Sequence, residues 1–177
     1  MLSLDRIKAA AERIRPSIYE SPLVHSQTLS RLTGNAIFLK LENLQMTGSF
    51  KERGALNRIL TLTDDERRRG VIAASAGNHG QGVAYHAAQR GIPVQIWMPR
   101  STPLIKLTAT RAYGADVVLH GANYDEACEA AIEQSVQRNA TFVHPFDDDE
   151  VIAGQGTLGL ELLKQNPALD VILVPVA

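Results

Sequence analysis

Short apolar runs alternate with longer amphipathic stretches along the chain. The runs Ile37–Glu42, Val71–Ala74, Val94–Met98, Val117–His120, Thr141–His144 and Val171–Val176 predict strands. The stretches Phe50–Leu60, Gln81–Arg90, Leu104–Tyr113, Tyr124–Arg138 and Glu150–Gln165 predict helices. Near the start, Leu4, Ile7, Ala11 and Ile14 recur at helical spacing among Asp5, Arg6, Lys8, Glu12 and Arg13, which predicts a first amphipathic helix ended by Pro16. Gly91-Ile92-Pro93 and Tyr113-Gly114-Ala115 read as helix ends feeding the next strand. Strand and helix in alternation imply βαβ units, a parallel sheet and an α/β fold. In such sheets ligands collect at the carboxyl ends of strands, so the loops that follow them are where chemistry is sought.

The run Val171–Ala177 reads as a fully buried strand, slightly weakened by Pro175, which lacks a ladder donor. A central strand needs neighbours on both sides and layers on both faces. The expectation is therefore a chain truncated at this point or completed by something else.

Composition narrows the picture. With 177 residues, 45% hydrophobic and 21% charged, the chain suits one domain with a sizeable core or two small lobes. A formal net charge of -1 gives no electrostatic reason to expect nucleic acid or an anionic membrane as partner. Cys128 is the only cysteine, which excludes an internal disulfide and a cysteine-based zinc site and fits a reducing, cytoplasmic setting. No stretch approaches the roughly 18 apolar residues of a membrane span.

There are five lysines. Lys8, Lys106 and Lys164 fall on predicted amphipathic helices, where solvation is the default, and Lys40 alternates with apolar residues in a strand and is expected to point outward. Lys51 differs. It follows Thr47-Gly48-Ser49-Phe50, a turn with good N-cap residues, and opens a helix. A cation is unfavourable there, and burial in addition would depress the amine's pKa and favour a nucleophile. From the residues alone a surface lysine, with Ser49 merely capping, remains the commoner outcome.

Ser75-Ala76-Gly77-Asn78-His79-Gly80-Gln81-Gly82 follows the strand Val71–Ala74 and leads into a helix. Its glycines let the backbone approach a ligand, and a helix N-terminus offers free N–H groups to a carboxylate or phosphate. A turn needing glycine for geometry alone is the competing reading, and the functional one is preferred. His79 could serve as a general base, but bonding to backbone is the preferred role, because no Ser–His–Asp order accompanies it.

Other signals are weaker. Gly154–Gly159 fits G-x-G-x-x-G, yet it lies at a helix start rather than directly after a strand, so close helix packing is preferred to a nicotinamide site. Asp147–Glu150 reads as a solvated turn complementing the next helix rather than a metal site. Arg67–Arg69 reads as an exposed helix end finished by Gly70. Cys128 reads as a small buried residue among helical alanines.

Thr47–Ala55, Ser75–Gly82 and Val151-Ile152-Ala153-Gly154-Gln155-Gly156-Thr157, in that order, resemble the signature blocks of the threonine dehydratases and their relatives, the serine dehydratases and serine racemases. Asp116–Asn123 resembles the same branch, and the likeness runs from about Tyr19 to Ala177. These are fold-type II pyridoxal 5'-phosphate (PLP) enzymes. The resemblance implies a three-layer αβα parallel-sheet lobe of tryptophan synthase β-like architecture with an incomplete second lobe. Residues 1–50 would begin the large cofactor domain, 51–150 form the small αβα domain, and 151–177 return to the large domain.

Roles follow by position from the same resemblance. Lys51 would hold PLP as a Schiff base, Phe50 would pack against it, and Asn78 would hydrogen-bond the ring hydroxyl. Ser75 and the segment Ala76, Gly77, Asn78 and His79 would bind the substrate carboxylate; no metal ligand is implied within these residues. The implied reaction is β-elimination: the freed amine of Lys51 takes the α-proton, the β-hydroxyl leaves, and hydrolysis yields a 2-oxo acid and ammonia. L-threonine would give 2-oxobutanoate and L-serine pyruvate, within amino-acid metabolism such as isoleucine biosynthesis. Serine racemases carry a serine where this chain has Ala76, so a dehydratase is expected. Relatives form dimers or tetramers, which implies a homo-oligomer.

The family's glycine-rich phosphate loop follows the strand that Val171–Ala177 matches, and it lies beyond this sequence. The expectation is an incomplete fragment, inactive alone and without a stable PLP absorbance band. The alternative is a non-catalytic truncated paralogue that binds an amino acid or a partner chain.

Overall fold

Val71–Ala74 is buried at every residue, and its side chains alternate between two cores. Val71 and Ala73 join a large cluster with Val83, Ala84, Ala87, Ile96 and Leu107; Ile72 and Ala74 join a smaller one with Ala131, Trp97 and Phe142. A strand apolar on both faces requires a layer on each. The computed structural model, which describes residues 2–175, provides both layers.

In chain order the elements are α1 (Leu4–Ile14), β1 (Leu23–His25), α2 (Gln27–Thr33), β2 (Phe38–Lys40), α3 (Lys51–Leu60), α4 (Asp64–Arg69), β3 (Val71–Ala74) and α5 (Asn78–Ala88). Then follow β4 (Val94–Met98), α6 (Leu104–Ala112), β5 (Asp116–Leu119), α7 (Tyr124–Arg138), β6 (Thr141–Phe142) and α8 (Asp149–Gln165). Four strands form a sheet in the order β5-β4-β3-β6, with every pair parallel. Helices α5 and α6 cover one face and α7 the other, the three-layer α/β arrangement. Beyond α5 lies a further stack in which α3 packs on α5, and α8 packs on α3 and α1. A separate antiparallel pair joins β1 to β2.

Gly54 and Gly154 mark where α3 and α8 cross. A Cβ at Gly154 would lie 2.6 Å from the Arg53 carbonyl oxygen and 2.7 Å from the Gly54 Cα. The Gly154–Gly159 pattern therefore serves close helix packing, inside a helix.

Several expectations change. Residues 171–175 form no strand: neither sheet offers them a ladder partner, and Val171 and Leu173 are exposed. Val176 and Ala177, which complete that predicted strand, lie outside the described residues. Strand β2 ends at Lys40, because Glu42 begins a 3-10 turn. Helix α5 begins at Asn78 rather than Gln81, so Asn78 and His79 belong to its first turn. The Lys40 side chain is 7% exposed rather than outward, its ammonium donating to the Ser21 carbonyl at 2.5 Å and to Glu161 at 2.6 Å. The acidic turn before α8 is ion-paired: Asp148 caps the helix and accepts from Arg58 at 2.9 Å, while Glu150 binds Arg6 at 2.7 Å. No helix among the described residues is long and apolar enough to cross a membrane.

Candidate active site

The sheet order sets the location. From β3 the chain moves outward through β4 to β5, then returns by α7 to β6 on the other side of β3. The loops leaving β3 and β6 meet at the strands' carboxyl ends, where the winding reverses and where such sheets are expected to form a ligand crevice. The first loop carries Ser75, Ala76 and Gly77; the second carries Val143 to Asp147.

Lys51 reaches this crevice from α3. It is the first residue of that helix and is half-buried. Its Nζ lies 3.5 Å from the Pro145 carbonyl oxygen, at the limit of a hydrogen bond, and 5.8 Å from the centre of the Phe50 ring. Burial holds the amine below the ordinary lysine range. Such an amine is more often neutral, and a neutral amine is a nucleophile. Ser49 does not cap the helix as expected; Phe50 occupies the N-cap without a side-chain bond, and the buried Ser49 Oγ has no hydrogen-bond partner among the described residues.

The turn after β3 meets the same loop from the other side. His79 is buried, and its Nε2 donates to the Val143 carbonyl at 3.0 Å, so the backbone-bonding role expected for it is what the structure displays. Burial first, then the charges of Lys51 and His144, lower His79 from 6.5 to about 4, so the ring is neutral. Its Nδ1 is buried without a partner among the described residues. Ser75 is half-buried and its Oγ accepts from the Gly77 N–H at 3.2 Å. Ala76 packs against the large core cluster. Asn78 is exposed at the first position of α5, and Gly77 precedes it with open space where a Cβ would stand. Lys51 and His79 thus converge on Val143–Pro145, but among the described residues no hydrogen bond joins Lys51 directly to Ser75 or Asn78.

Beneath Lys51 lies a polar scaffold that the sequence reading did not anticipate. Arg53 is fully buried and binds Glu42 through Nε and Nη2, each at 2.8 Å, and Glu161 at 2.7 and 2.8 Å. Burial pushes the Glu42 carboxyl up, but Arg53 and Ser21 push it further down, and it stays ionised. Glu52 is also buried, bonded to Thr47 and His86. The Gln155 amide donates to the Lys51 carbonyl at 3.3 Å, while its Oε1 is buried without a partner among the described residues. One signal was available in the sequence: α3 carries Glu52, Arg53, Asn57 and Arg58 around its circumference together with Gly54, which leaves no purely apolar stripe.

Residues 14–177 match the model of the pyridoxal-phosphate dependent enzyme family. The chain belongs to this family. An L-threonine ammonia-lyase of Thermotoga maritima is 52% identical over 176 residues, which are 99% of this chain and 44% of that protein. A structure of maize serine racemase superposes with a TM-score of 0.91 at 35% identity, over 96% of this chain and 51% of the other. The processed form of threonine deaminase isoform 2 from Solanum lycopersicum superposes with a TM-score of 0.83 at 42% identity, over 92% of this chain and 49% of the other. The chain thus spans about half the length of the relatives it matches. Its α/β lobe with a parallel sheet is the fold-type II lobe that the sequence blocks implied, and the family's cofactor is pyridoxal phosphate. The resemblance of the Thr47–Ala55, Ser75–Gly82 and Val151–Thr157 blocks to threonine dehydratases and serine racemases agrees with these matches.

Proposed function

We propose that this chain is the amino-terminal portion of a PLP-dependent ammonia-lyase that dehydrates and deaminates L-threonine or L-serine. The observation that carries the reading is the Lys51 amine, half-buried at the sheet's winding reversal, close to Pro145 and shifted toward its neutral form. The residues present suit the cofactor. The Lys51 amine is desolvated, Gly77 has open space where a Cβ would stand, and among the described residues Ser49 Oγ and His79 Nδ1 are buried without partners.

In this reading Lys51 would anchor PLP, Phe50 would pack beside it, and Asn78 would hydrogen-bond its ring hydroxyl. Bound PLP supplies an aldehyde that captures amines and a ring that withdraws electrons from the substrate's α-carbon. Lys51 Nζ would serve as the base for the substrate's α-proton; its position at a helix N-terminus and its burial both favour the free base. Ser75, Ala76, Gly77, Asn78 and His79 hold the substrate carboxylate at the start of α5, where first-turn N–H groups face an anion.

The same reading divides the chain into 1–50 of a large cofactor domain, 51–150 of a small domain and 151–177 returning to the large one. It makes the whole protein a cytoplasmic homo-oligomer, dimer or tetramer, whose partner is a small amino acid rather than nucleic acid or membrane. The even charge balance and single cysteine support that assignment.

The test fuses this chain to the carboxy-terminal portion of the Thermotoga maritima relative. Borohydride reduction in the presence of PLP is expected to modify Lys51 alone among the five lysines, and L-threonine to yield 2-oxobutanoate. Lys51→Ala is expected to abolish both. Label spread over Lys8, Lys106 and Lys164, or product formation by the Lys51→Ala protein, overturns the reading. Ala76→Ser in the same fusion is expected to raise D-serine formation from L-serine, read by chiral chromatography.

A further inference from the structure

Glu52, next to Lys51 in sequence, meets three hydrogen-bond donors. Its Oε2 accepts from the Thr47 N–H at 2.9 Å and the Thr47 hydroxyl at 3.0 Å, and its Oε1 pairs with His86 Nε2 at 3.1 Å. Glu52 and His86 are each 1% exposed. On the far side of the imidazole, Arg90 Nη1 lies 3.5 Å from Nδ1. A guanidinium only donates, so it favours the tautomer with a bare Nδ1, which leaves the Nε2 proton for Glu52. The backbones come close here as well: a Cβ at Gly82 of α5 would lie 3.3 Å from the Glu52 Cα.

We propose that Glu52 is a positioning residue for the Lys51 amine, holding the Thr47–Phe50 turn and the first turn of α3 against α5 through His86. The inference rests on the reading of Lys51 as the cofactor lysine. Helix α3 starts without a side-chain cap, and Glu52 takes the place of one by reaching back to a backbone N–H ahead of the helix. Apolar residues of like volume stabilise an interior as well as a buried ionic pair does. What only a carboxylate can do at this point is accept from three donors at once, which fixes the turn that carries Ser49, Phe50 and Lys51. The array also ties Lys51 to α5, whose first turn contains Asn78 and His79. One carboxylate therefore sets the spacing between the amine and the opposite wall of the crevice.

The experiment is competitive acetylation of this chain with acetic anhydride across pH, with each lysine's titration midpoint read by peptide mass spectrometry. Lys8 and Lys106, both exposed, are internal standards. In the wild-type chain Lys51 is expected to titrate below both. In Glu52→Gln the amide can accept from Thr47 but must donate to His86, whose other nitrogen then carries a proton toward Arg90; one donor meets another. The start of α3 loosens and the Lys51 midpoint rises toward the standards. Removal of a nearby negative charge would by itself lower that midpoint, so a rise reports geometry. In Glu52→Gln/Arg90→Met the histidine is free to change tautomer, and the midpoint returns part of the way.

Thr47→Val removes only the hydroxyl bond and is expected to give a smaller rise; it decides the question if Glu52→Gln does not fold. Amide hydrogen exchange of β3 and β4 reports whether the sheet is intact. A Lys51 midpoint unchanged in Glu52→Gln and Thr47→Val, with the sheet intact, overturns the positioning role and leaves the enzyme reading standing. A wild-type Lys51 indistinguishable from Lys8 and Lys106 overturns the enzyme reading itself.

Discussion

Helices α3 and α7 both pack within this α/β lobe, yet they are built on opposite plans. On α7 only Ala127, Ala131 and Ser135 are buried, one narrow stripe of small residues at helical spacing, and the rest faces water or grazes the sheet. On α3, Glu52, Arg53, Gly54, Ala55, Leu56, Asn57 and Ile59 are all buried. A helix shaped by stability alone would resemble α7. Buried charges cost several kcal/mol each unless every lone pair and proton is matched, and α3 matches them with partners from the 3-10 turn after β2, from α5, from α8 and from the turn before it. The difference teaches that α3 is specified for placement, which is what the cofactor lysine proposed at its first residue would need.

That contrast can be broken experimentally. The largest effect is expected from Arg53→Ala, which strands Glu42 and Glu161 without their guanidinium and costs about 3–5 kcal/mol in denaturant unfolding. A loss under about 1 kcal/mol would place α3 in the same class as α7.

Next comes His79, under α3's amine. Because the folded value of about 4 lies below the ordinary 6.5, the unfolded chain binds a proton that the folded chain refuses. Stability is then full above the ordinary value and declines as pH falls through the interval toward the folded value, by about 3 kcal/mol in all. His79→Gln keeps a donor for the Val143 carbonyl and should flatten that slope, read from denaturant midpoints at about pH 7 and about pH 4.5.

A Cβ at the α3–α8 crossing should cost somewhat less. Gly154→Ala meets backbone rather than a yielding side-chain end, and about 1–3 kcal/mol is expected from the same unfolding measurement. Smallest of all is Glu133→Ala on the exposed side of α7, expected within about 0.5 kcal/mol of the parent.

Much of the architecture was legible because it depends on local pattern. Val71–Ala74 and Val94–Met98 are found where continuous apolar runs place them, and α7 spans the residues its spacing predicts. Lys51 opens its helix as read. The elements that escaped are short and secured by single side chains: β1 has three residues, and α2 depends on the Ser26 cap and the left-handed Gly34 at its end. The misreadings share one cause, partners distant in sequence. Lys40 alternates like an outward strand residue but turns inward because Glu161, on α8, supplies a countercharge. Residues 171–175 are as apolar as any strand, but a strand also needs a neighbour, which composition cannot reveal. The buried Glu52–His86 and Arg53–Glu161 pairs are invisible to periodicity for the same reason.

The sheet's two free margins carry a last consequence. Strand β6 bonds to β3 through only Thr141 and Phe142, and β5 opens with Asp116, whose carboxylate is already engaged by Gln95. Neither margin offers a long, flat, apolar row of open N–H and C=O groups on which another chain could add. The four-stranded sheet should therefore resist edge-to-edge fibril growth even at high protein concentration, a property of the lobe that owes nothing to its chemistry.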